Sequence, residues 1–188
     1  MLYFFLKRIF DILFSIIVLL TLSPLLISVS ILIFLQDGGS PIFKQLRFGI
    51  KGNEFIFYKF RSMPIMTPDV TSDNDNKVRI TPLGRILRRF NIDELPQFFN
   101  VLKGNMSVIG PRPGILSQKK LITMRKENQS INIKPGLTGW AQVNAYNNMP
   151  ETKKAQFDGE YFEKMSIMLD LFIIFKTMIY FTKKPPKY

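Results

Sequence analysis

Two adjacent carboxylates, Asp93 and Glu94, are the residues of this sequence best suited to carry out chemistry. An apolar stretch follows them as far as Gly104, and four arginines precede them: Arg79, Arg85, Arg88 and Arg89. Nearby cations and the N-terminal dipole of a helix favour the charged form of a carboxylate and fix its orientation. The pattern is therefore typical of a nucleophile or a metal ligand. The alternative is structural, with both acids capping a helix and pairing with arginines.

Two helix starts are open beside this pair. Asn91 and Glu94 have the spacing of a capping box, in which the Asn91 side chain would cap the helix. Alternatively, the helix starts at Pro96, where a missing backbone N–H is tolerated. In both cases the carboxylates lie in or just before a first turn, and Gly104 suits the C-terminal end.

The composition narrows the chemistry. The chain has 188 residues, a formal net charge of +12, and neither histidine nor cysteine. Catalytic sites built on histidine or cysteine, and thiolate or imidazole metal sites, are thereby excluded. Any metal held by this protein would be a hard, oxygen-bound ion such as Mg²⁺, with Asp93 and Glu94 as ligands.

The excess of positive charge predicts partners that carry phosphate. One hypothesis is a membrane-tethered module that binds nucleic acid or anionic lipid without turnover. We expect no nucleic acid, because Asp93 and Glu94 would repel a phosphate backbone and no nucleic-acid-binding module is recognisable.

A nearly unbroken apolar run extends from Ile12 to Leu35 and would form a helix about 36 Å long, enough to cross a bilayer. Lysine and arginine flank it on both sides, which places both flanks, and hence both termini, on the cytoplasmic face. Ser23 and Pro24 fall in its middle, where proline bends a helix. These features favour a re-entrant hairpin over a straight span. Asp11, at the membrane edge, is expected to pair with Lys7 or Arg8.

The remaining pattern predicts an α+β fold. Turn residues after Gln36 separate a membrane hairpin (1–36) from a catalytic domain (37–188). Strands are expected at 42–44 and 54–60, as a small antiparallel pair, and at 131–133, with a helix at 118–128. The polar segment 64–77 is expected to be a mobile loop. The apolar run 165–182 predicts either an amphipathic helix in the membrane interface or a core helix.

Three segments outside the carboxylate pair have residues that could contact a ligand. Lys59 and Arg61 share one face of a strand and could grip a phosphate together. Arg112 lies between Pro111 and Pro113, which restrict its backbone and so orient its guanidinium to bind an anion. Trp140 follows a predicted type II turn at 135–136, and small residues there would allow a ligand near the backbone. Each segment could equally be structural.

These motifs, taken in order, resemble the small monotopic phosphoglycosyl transferases, bacterial sugar transferases that start glycan assembly. The similarity covers essentially the whole chain and rests on these segments: Lys7-Arg8 to Asp11, Ser23-Pro24, Gln45-x-Arg47-x-Gly49-x-x-Gly52, Lys59 to Met63, Arg79-Ile80-Thr81, Gly84-x-x-Leu87-Arg88, Asp93 to Gln97, Asn100 to Gly104, Gly110-Pro111-Arg112-Pro113, Lys134 to Trp140 and Leu169-Asp170-Leu171.

The resemblance implies Mg²⁺-dependent transfer of a sugar phosphate from a nucleoside diphosphate sugar, usually a UDP-sugar, to a polyprenyl phosphate such as undecaprenyl phosphate. Asp93 would attack the β-phosphate, release UMP and form a phosphosugar-aspartyl intermediate, while Glu94 would help to place the metal or the incoming phosphate. Direct transfer in a ternary complex is the alternative. The protein would lie among membrane lipid on the cytoplasmic face of the bacterial inner membrane; homodimer formation is left open.

The resemblance also implies which residues bind the substrates. They are expected to be Lys59, Arg61, Arg79, Arg88, Gln97, Pro111, Arg112, Gly136, Thr138, Trp140 and Tyr146. Tyr146 marks a departure, because family members commonly have Gly-Arg where this chain has Ala145-Tyr146. An expected arginine is therefore missing, and Tyr146 would stack on the sugar or hydrogen-bond to it instead.

Overall fold

The computed structural model describes residues 2–65, 67, 80–145 and 149–182, with side chains as far as Ile179. Helices and strands mix along this chain as an α+β fold. The helices are α1 (Leu2–Thr21), α2 (Ser23–Asp37), α3 (Pro82–Arg89), α4 (Gln97–Leu102), α5 (Lys119–Glu127), α6 (Trp140–Val143), α7 (Glu151–Lys164) and α8 (Ile167–Thr182). The strands are β1 (Ile42–Phe48), β2 (Glu54–Phe60), β3 (Ser107–Ile109) and β4 (Gly136–Thr138). The predicted loop 64–77 lies largely outside the described residues.

The N-terminal apolar run forms two helices that meet at a bend of 62°. Pro24 lies in the first turn of α2, where its missing N–H leaves no hydrogen bond unmade, and the Ser23 hydroxyl donates to the carbonyl of Leu20 at 2.8 Å. The predicted bend at Ser23-Pro24 is therefore present. No single described helix is long and apolar enough to cross a bilayer, and α1 and α2 reach that length and composition only as a bent pair.

The helix α2 extends one residue beyond the predicted boundary. It ends at Asp37, and Gly38 closes it in the left-handed region at φ 71°. Val29 and Ile33 on α2 pack with Phe60 and Leu87, so the bent pair is joined to the rest of the protein by a small apolar cluster.

Strands β1 and β2 form the predicted antiparallel pair, in the register Ile42 to Phe60 and Phe48 to Glu54. Phe55 and Phe57 on β2 belong to the main core. The other buried members of this core come from α4, β3, α7, α8 and the segment between α4 and β3: Val101, Met106, Val108, Ile109, Tyr161 and Ile173.

A second, parallel strand pair corrects two predictions. Residues 131–133 are not a strand, since Ser130–Asn132 form a 3-10 turn, and no type II turn exists at 135–136, since Gly136 has no positive φ and begins β4. Strand β4 pairs with β3 through Ser107 opposite Gly136. A Cβ atom on Gly136 would lie 2.1 Å from the backbone nitrogen of Gly110, so glycine is needed here for close backbone approach rather than for a turn.

The charged residues of α1 do not pair with one another as predicted. Asp11 accepts hydrogen bonds from the backbone N–H of Val108 (2.9 Å) and the hydroxyl of Ser107 (3.1 Å). Lys7 instead bonds to Asp170 at 2.7 Å. Arg8 donates to the carbonyls of Val101 and Leu102 at the C-terminus of α4.

Helix α8 buries one face, which carries both polar and apolar side chains, and exposes an apolar face. Asp170 is buried and accepts hydrogen bonds from Tyr161 (2.6 Å) and Tyr3 (2.9 Å), while Ile173 is fully buried in the core. The exposed face is formed by Ile167, Met168, Leu171, Phe172, Phe175, Met178 and Ile179. The helix therefore contributes to the core and also presents an apolar surface, as an interfacial helix would.

Candidate active site

The carboxylate pair lies in a tight 3-10 turn, Ile92–Glu94, which packs against α3 and β2. Asn91 precedes it in the left-handed region at φ 53° and forms no side-chain cap, so the capping-box alternative is wrong. Helix α4 instead begins at Gln97, directly after Pro96, close to the second predicted start. The turn places both acids before the N-terminus of a helix whose other end is held by Arg8.

Asp93 is a buried carboxylate in this turn, with 6% of its surface exposed. Burial raises the pKa of its carboxyl from 3.8 to about 6, and the negative charge of Glu94 adds to the increase. Lys59, Arg88 and Arg112 act in the opposite direction. Asp93 therefore combines a desolvated oxygen with three cations in electrostatic range, which is the environment of an activated nucleophile or a general base.

Glu94 has a different environment from its neighbour. Burial would raise the pKa of Glu94, but Arg112, together with Lys59 and Gln97, outweighs burial and holds that pKa below its usual value. The two terminal nitrogens of the Arg112 guanidinium contact the carboxylate, Nη2 at 2.5 Å and Nη1 at 3.4 Å. Two carboxylates with opposite pKa shifts suit two different roles.

The segment that carries Arg112 is held in place by backbone hydrogen bonds on one side. The N–H of Gly136 donates to the carbonyl of Pro111 at 2.9 Å, and the N–H of Gly110 donates to the carbonyl of Thr138 at 2.8 Å. Gly136 and Thr138 were predicted to bind substrate, and the structure shows them supporting the arginine segment. Arg47 holds the other side through its bond to the carbonyl of Pro113 at 2.9 Å, a role that the sequence did not indicate.

Lys59 and Arg88 complete the positive surroundings of Asp93. Burial lowers the pKa of the Lys59 ammonium, and Asp93 opposes that change. Arg88 is buried, and its Nε donates to the hydroxyl of Ser62 at 2.9 Å, which fixes the guanidinium. Both cations reach the site from elements that pack on the 3-10 turn, Lys59 from β2 and Arg88 from α3.

Gln97 lies at the start of α4 with 1% of its surface exposed. Its buried side-chain amide lies beside the Glu94 carboxylate, and its interaction with that carboxylate contributes to the lowered pKa of Glu94. Gln97 therefore helps to hold the carboxylate pair in place.

Three other predicted binding residues have contacts away from the carboxylate pair. Arg61 forms an ion pair with Asp37 at the end of α2. The Trp140 indole donates to Glu160 at 3.1 Å and lies beside Phe172 of α8. The Thr138 hydroxyl bonds to that of Thr177 at 2.7 Å. Arg79 and Tyr146 lie outside the described residues.

Asn100 is a positioning residue that sequence reasoning missed. Its fully buried side chain accepts from the N–H of Tyr58 (3.0 Å) and donates to the carbonyl of Ile56 (2.6 Å), and so ties α4 to β2. An asparagine among apolar residues of a short helix was the only signal for it. Its effect is to fix the distance between the carboxylate turn and Lys59.

The carboxylate pair fits a hard cation that takes most of its ligands from elsewhere. Within the described part of the chain, no group of three or more acidic, histidine or cysteine side chains could hold a metal on its own. Asp93 and Glu94 provide oxygen donors, and Mg²⁺ is usually bound by one or two carboxylates together with water and substrate phosphates.

Comparison with known proteins identifies the family to which the chain belongs. A family model described as bacterial sugar transferase matches residues 2–184. The chain is 39% identical over 182 residues to the UDP-glucose:undecaprenyl-phosphate glucose-1-phosphate transferase of Escherichia coli (strain K12), with 92% of this chain and 39% of that protein covered. It thus spans about two fifths of that relative's length.

Two further relatives show the same similarity. The uncharacterized sugar transferase EpsL of Bacillus subtilis (strain 168) is 39% identical over 180 residues, with 92% of this chain and 85% of that protein covered. The undecaprenyl-phosphate galactose phosphotransferase of Salmonella typhimurium is 38% identical over 190 residues, covering 92% of this chain and 40% of the relative. The chain belongs to the bacterial sugar transferase family, as its ordered motifs predicted.

Proposed function

We propose that this protein transfers a sugar phosphate from a nucleoside diphosphate sugar, a UDP-sugar, to a polyprenyl phosphate such as undecaprenyl phosphate. The observation that carries the proposal is the buried carboxylate of Asp93, which lies within electrostatic range of Lys59, Arg88 and Arg112. Family membership supports it, since relatives of similar identity are named as undecaprenyl-phosphate sugar-phosphate transferases. Because those relatives are named for glucose and galactose, the proposal concerns the class of donor and not one sugar.

The reaction would proceed in two displacements at phosphorus. A carboxylate oxygen of Asp93 attacks the β-phosphorus of the donor, the bond to the α-phosphate oxygen breaks, and UMP leaves with the electron pair. A phosphate oxygen of the acceptor then attacks the same phosphorus and displaces Asp93. Lys59, Arg88 and Arg112 would neutralise the diphosphate and its leaving group.

Mg²⁺ is proposed as the cofactor, held by Asp93 and Glu94. When bound, it would neutralise charge on the donor phosphates and make the phosphorus more electrophilic. Glu94 keeps its negative charge through Arg112, so it is the member of the pair prepared to remain a ligand while Asp93 reacts.

We also propose a location at the cytoplasmic face of the bacterial inner membrane, with α1 and α2 as a re-entrant hairpin and α8 in the interface. The support is exposed apolar surface, because large apolar side chains on α1 and α8 lie open to their surroundings, among them Leu2 (70% exposed), Met168 (77%) and Met178 (64%). An acceptor with a polyprenyl chain requires an active site at the bilayer surface.

Direct transfer is the second candidate mechanism, favoured by one observation. A carboxyl with a pKa raised to about 6 suits a general base, which would deprotonate the acceptor phosphate within a ternary complex. In that mechanism no bond forms between Asp93 and phosphorus.

The proposed function is tested by replacing Asp93 with asparagine. We expect Asp93→Asn to lower UMP release from UDP-sugars, in the presence of polyprenyl phosphate and Mg²⁺, by at least about a thousandfold, because the nucleophilic oxygen is lost while size is kept. The exposed carboxylate Glu127 provides the control variant Glu127→Gln, which should keep full activity. Full activity in Asp93→Asn would remove Asp93 from the reaction.

A further inference from the structure

A cavity with a volume of about 160 Å³ lies between the first half of α1, strand β3 and the 132–134 segment. Its charged lining is formed by Lys7, Arg8, Asp11 and Lys134. The apolar lining includes Phe4, Ile109, Ile133 and Met165. None of the residues around Asp93 that carry the proposed reaction lines this cavity, and Arg8 contacts the opposite end of α4 from the carboxylate turn. The cavity is thus a separate site.

Two cations in this cavity lie close together. A methyl group built on Gly104 would be 3.7 Å from both Nη2 of Arg8 and Nζ of Lys134. Burial lowers the pKa of the Lys134 ammonium, and the charge of Arg8 lowers it further. Among the described residues, no carboxylate forms an ion pair with Lys134. Asp11 opposes the lowered pKa of Lys134, so the two cations share a single carboxylate, and a second anion beside them would be stabilising.

The net charge of the cavity lining indicates which kind of anion it would bind. Lys7 is neutralised by Asp170, to which it bonds at 2.7 Å. Asp11 offsets one of the two remaining cations, Arg8 and Lys134, so one positive charge is left over. A phosphodiester, which carries one negative charge, balances this site, whereas a phosphomonoester with nearly two charges would leave an excess of negative charge.

The apolar surroundings select an amphiphile over a free anion. Leu2, Phe4 and Phe5 are exposed on the first turns of α1 next to the cavity, and Met168 is exposed just beyond Met165. A phosphate headgroup in the cavity would place attached acyl chains along this apolar surface, where their contact with water is reduced.

We propose that this cavity binds the phosphodiester headgroup of a membrane glycerophospholipid, through Arg8 and Lys134, at a site distinct from that of the reacting substrates. The bound lipid would join α1 to the 132–134 segment. Lys134 lies two residues before Gly136, whose N–H donates to the carbonyl of Pro111 next to Arg112, so the lipid would also stabilise the framework of the active site.

The test measures equilibrium binding of a fluorescent short-chain phosphatidylglycerol to the full-length protein in a non-ionic detergent. We expect saturable binding to the wild type and at least about a tenfold weaker affinity in Lys134→Met, because a charge-assisted hydrogen bond is lost. Lys134→Arg should keep the affinity within about threefold, since the charge is retained. The exposed Lys120 provides the matched control Lys120→Met, expected to bind like the wild type.

Competition experiments distinguish an intact phospholipid from its headgroup or its acyl chains alone. The diacylglycerol with the same chains and glycerol phosphate without chains are both expected not to compete, and Asp93→Asn should bind the lipid normally whatever its activity. Equal affinity of the wild type and Lys134→Met would overturn the proposal. Displacement of the phospholipid by equimolar polyprenyl phosphate would also overturn it, because the cavity would then be an acceptor site.

Discussion

At the residue scale, the protein separates the properties of two adjacent carboxylates by giving them different neighbours. Asp93 is buried and has a raised pKa, whereas Glu94 is paired with Arg112 and has a lowered pKa. The raised pKa of Asp93 predicts that the pH profile of activity has an acidic limb, a fall in rate at low pH. We expect kcat/KM for the donor to fall as the pH drops through about 6, because the protonated carboxyl of Asp93 is not a nucleophile or a base.

The variant Glu94→Gln tests the origin of that limb. Removing the negative charge of Glu94 lowers the pKa of Asp93 and frees Arg112 to lower it further, so the acidic limb should move to lower pH even if the maximal rate falls. The pH profile of donor kcat/KM provides the measurement, with Glu127→Gln as control. An acidic limb that stays in place or moves to higher pH would contradict this role of Glu94.

Asp93 also predicts a conflict between stability and activity. Its pKa is higher in the folded protein than the ordinary 3.8, so the folded state binds more protons between about pH 4 and 6, and stability decreases as the pH rises through this window. Asp93→Asn removes the buried charge. We expect it to be more stable than the wild type at pH 7.5, by about 3 kcal/mol, and nearly equal below pH 4. Thermal unfolding at several pH values checks this, and a less stable variant at pH 7.5 would contradict it.

At the element scale, α4 links the carboxylate turn to the sheet. Asn100 forms two buried hydrogen bonds with the backbone of β2, so Asn100→Ala leaves an N–H and a carbonyl without partners. We expect a loss of about 2–4 kcal/mol, seen as a Tm lower by roughly 5–10 °C, together with reduced activity from displacement of Asp93. The exposed Asn132 gives the control Asn132→Ala. An unchanged Tm in Asn100→Ala would show that α4 is held by other contacts.

Elements that depend on a pattern within one short segment could be predicted from the sequence, whereas elements that depend on contacts between distant segments could not. Alternation along 54–60 and the proline at position 24 are local patterns, and the predicted strand and bend are present. Strands β3 and β4 are only three residues each, too short to show alternation, and their pairing depends on two distant glycines. The type II turn predicted at 135–136 was wrong because glycine favours both turns and close backbone approach.

The same distinction applies to the site. Asp93, Glu94, Lys59, Arg88 and Arg112 are brought into one cluster, as expected from their types and motifs. The partners of buried polar groups were not predictable, because such partners are chosen by the tertiary structure. Arg61 illustrates this, since its strand position pointed to Lys59, whereas the end of α2 supplies Asp37.

At the scale of the whole molecule, the proposed re-entrant hairpin requires both ends of the bent helix pair to lie on one side of the membrane. The chain has no cysteine, so a single introduced cysteine reports its own accessibility. We expect Leu2→Cys and Lys120→Cys, each alone, to react with a membrane-impermeant maleimide only in inside-out vesicles. Straightening the bend with Ser23→Ala and Pro24→Ala together should place the two positions on opposite sides. Opposite sides in the chain with the natural bend would contradict the hairpin.

The covalent role of Asp93 is tested most directly by mass spectrometry of the intact protein and of its peptides after mixing with a UDP-sugar and Mg²⁺ in the absence of acceptor. The account predicts an added sugar phosphate on the peptide that contains Asp93, about one equivalent of UMP released, and loss of the adduct on adding polyprenyl phosphate. Asp93→Asn should show no adduct. An active enzyme that forms no adduct, and releases UMP only when both substrates are present, would contradict the covalent role of Asp93.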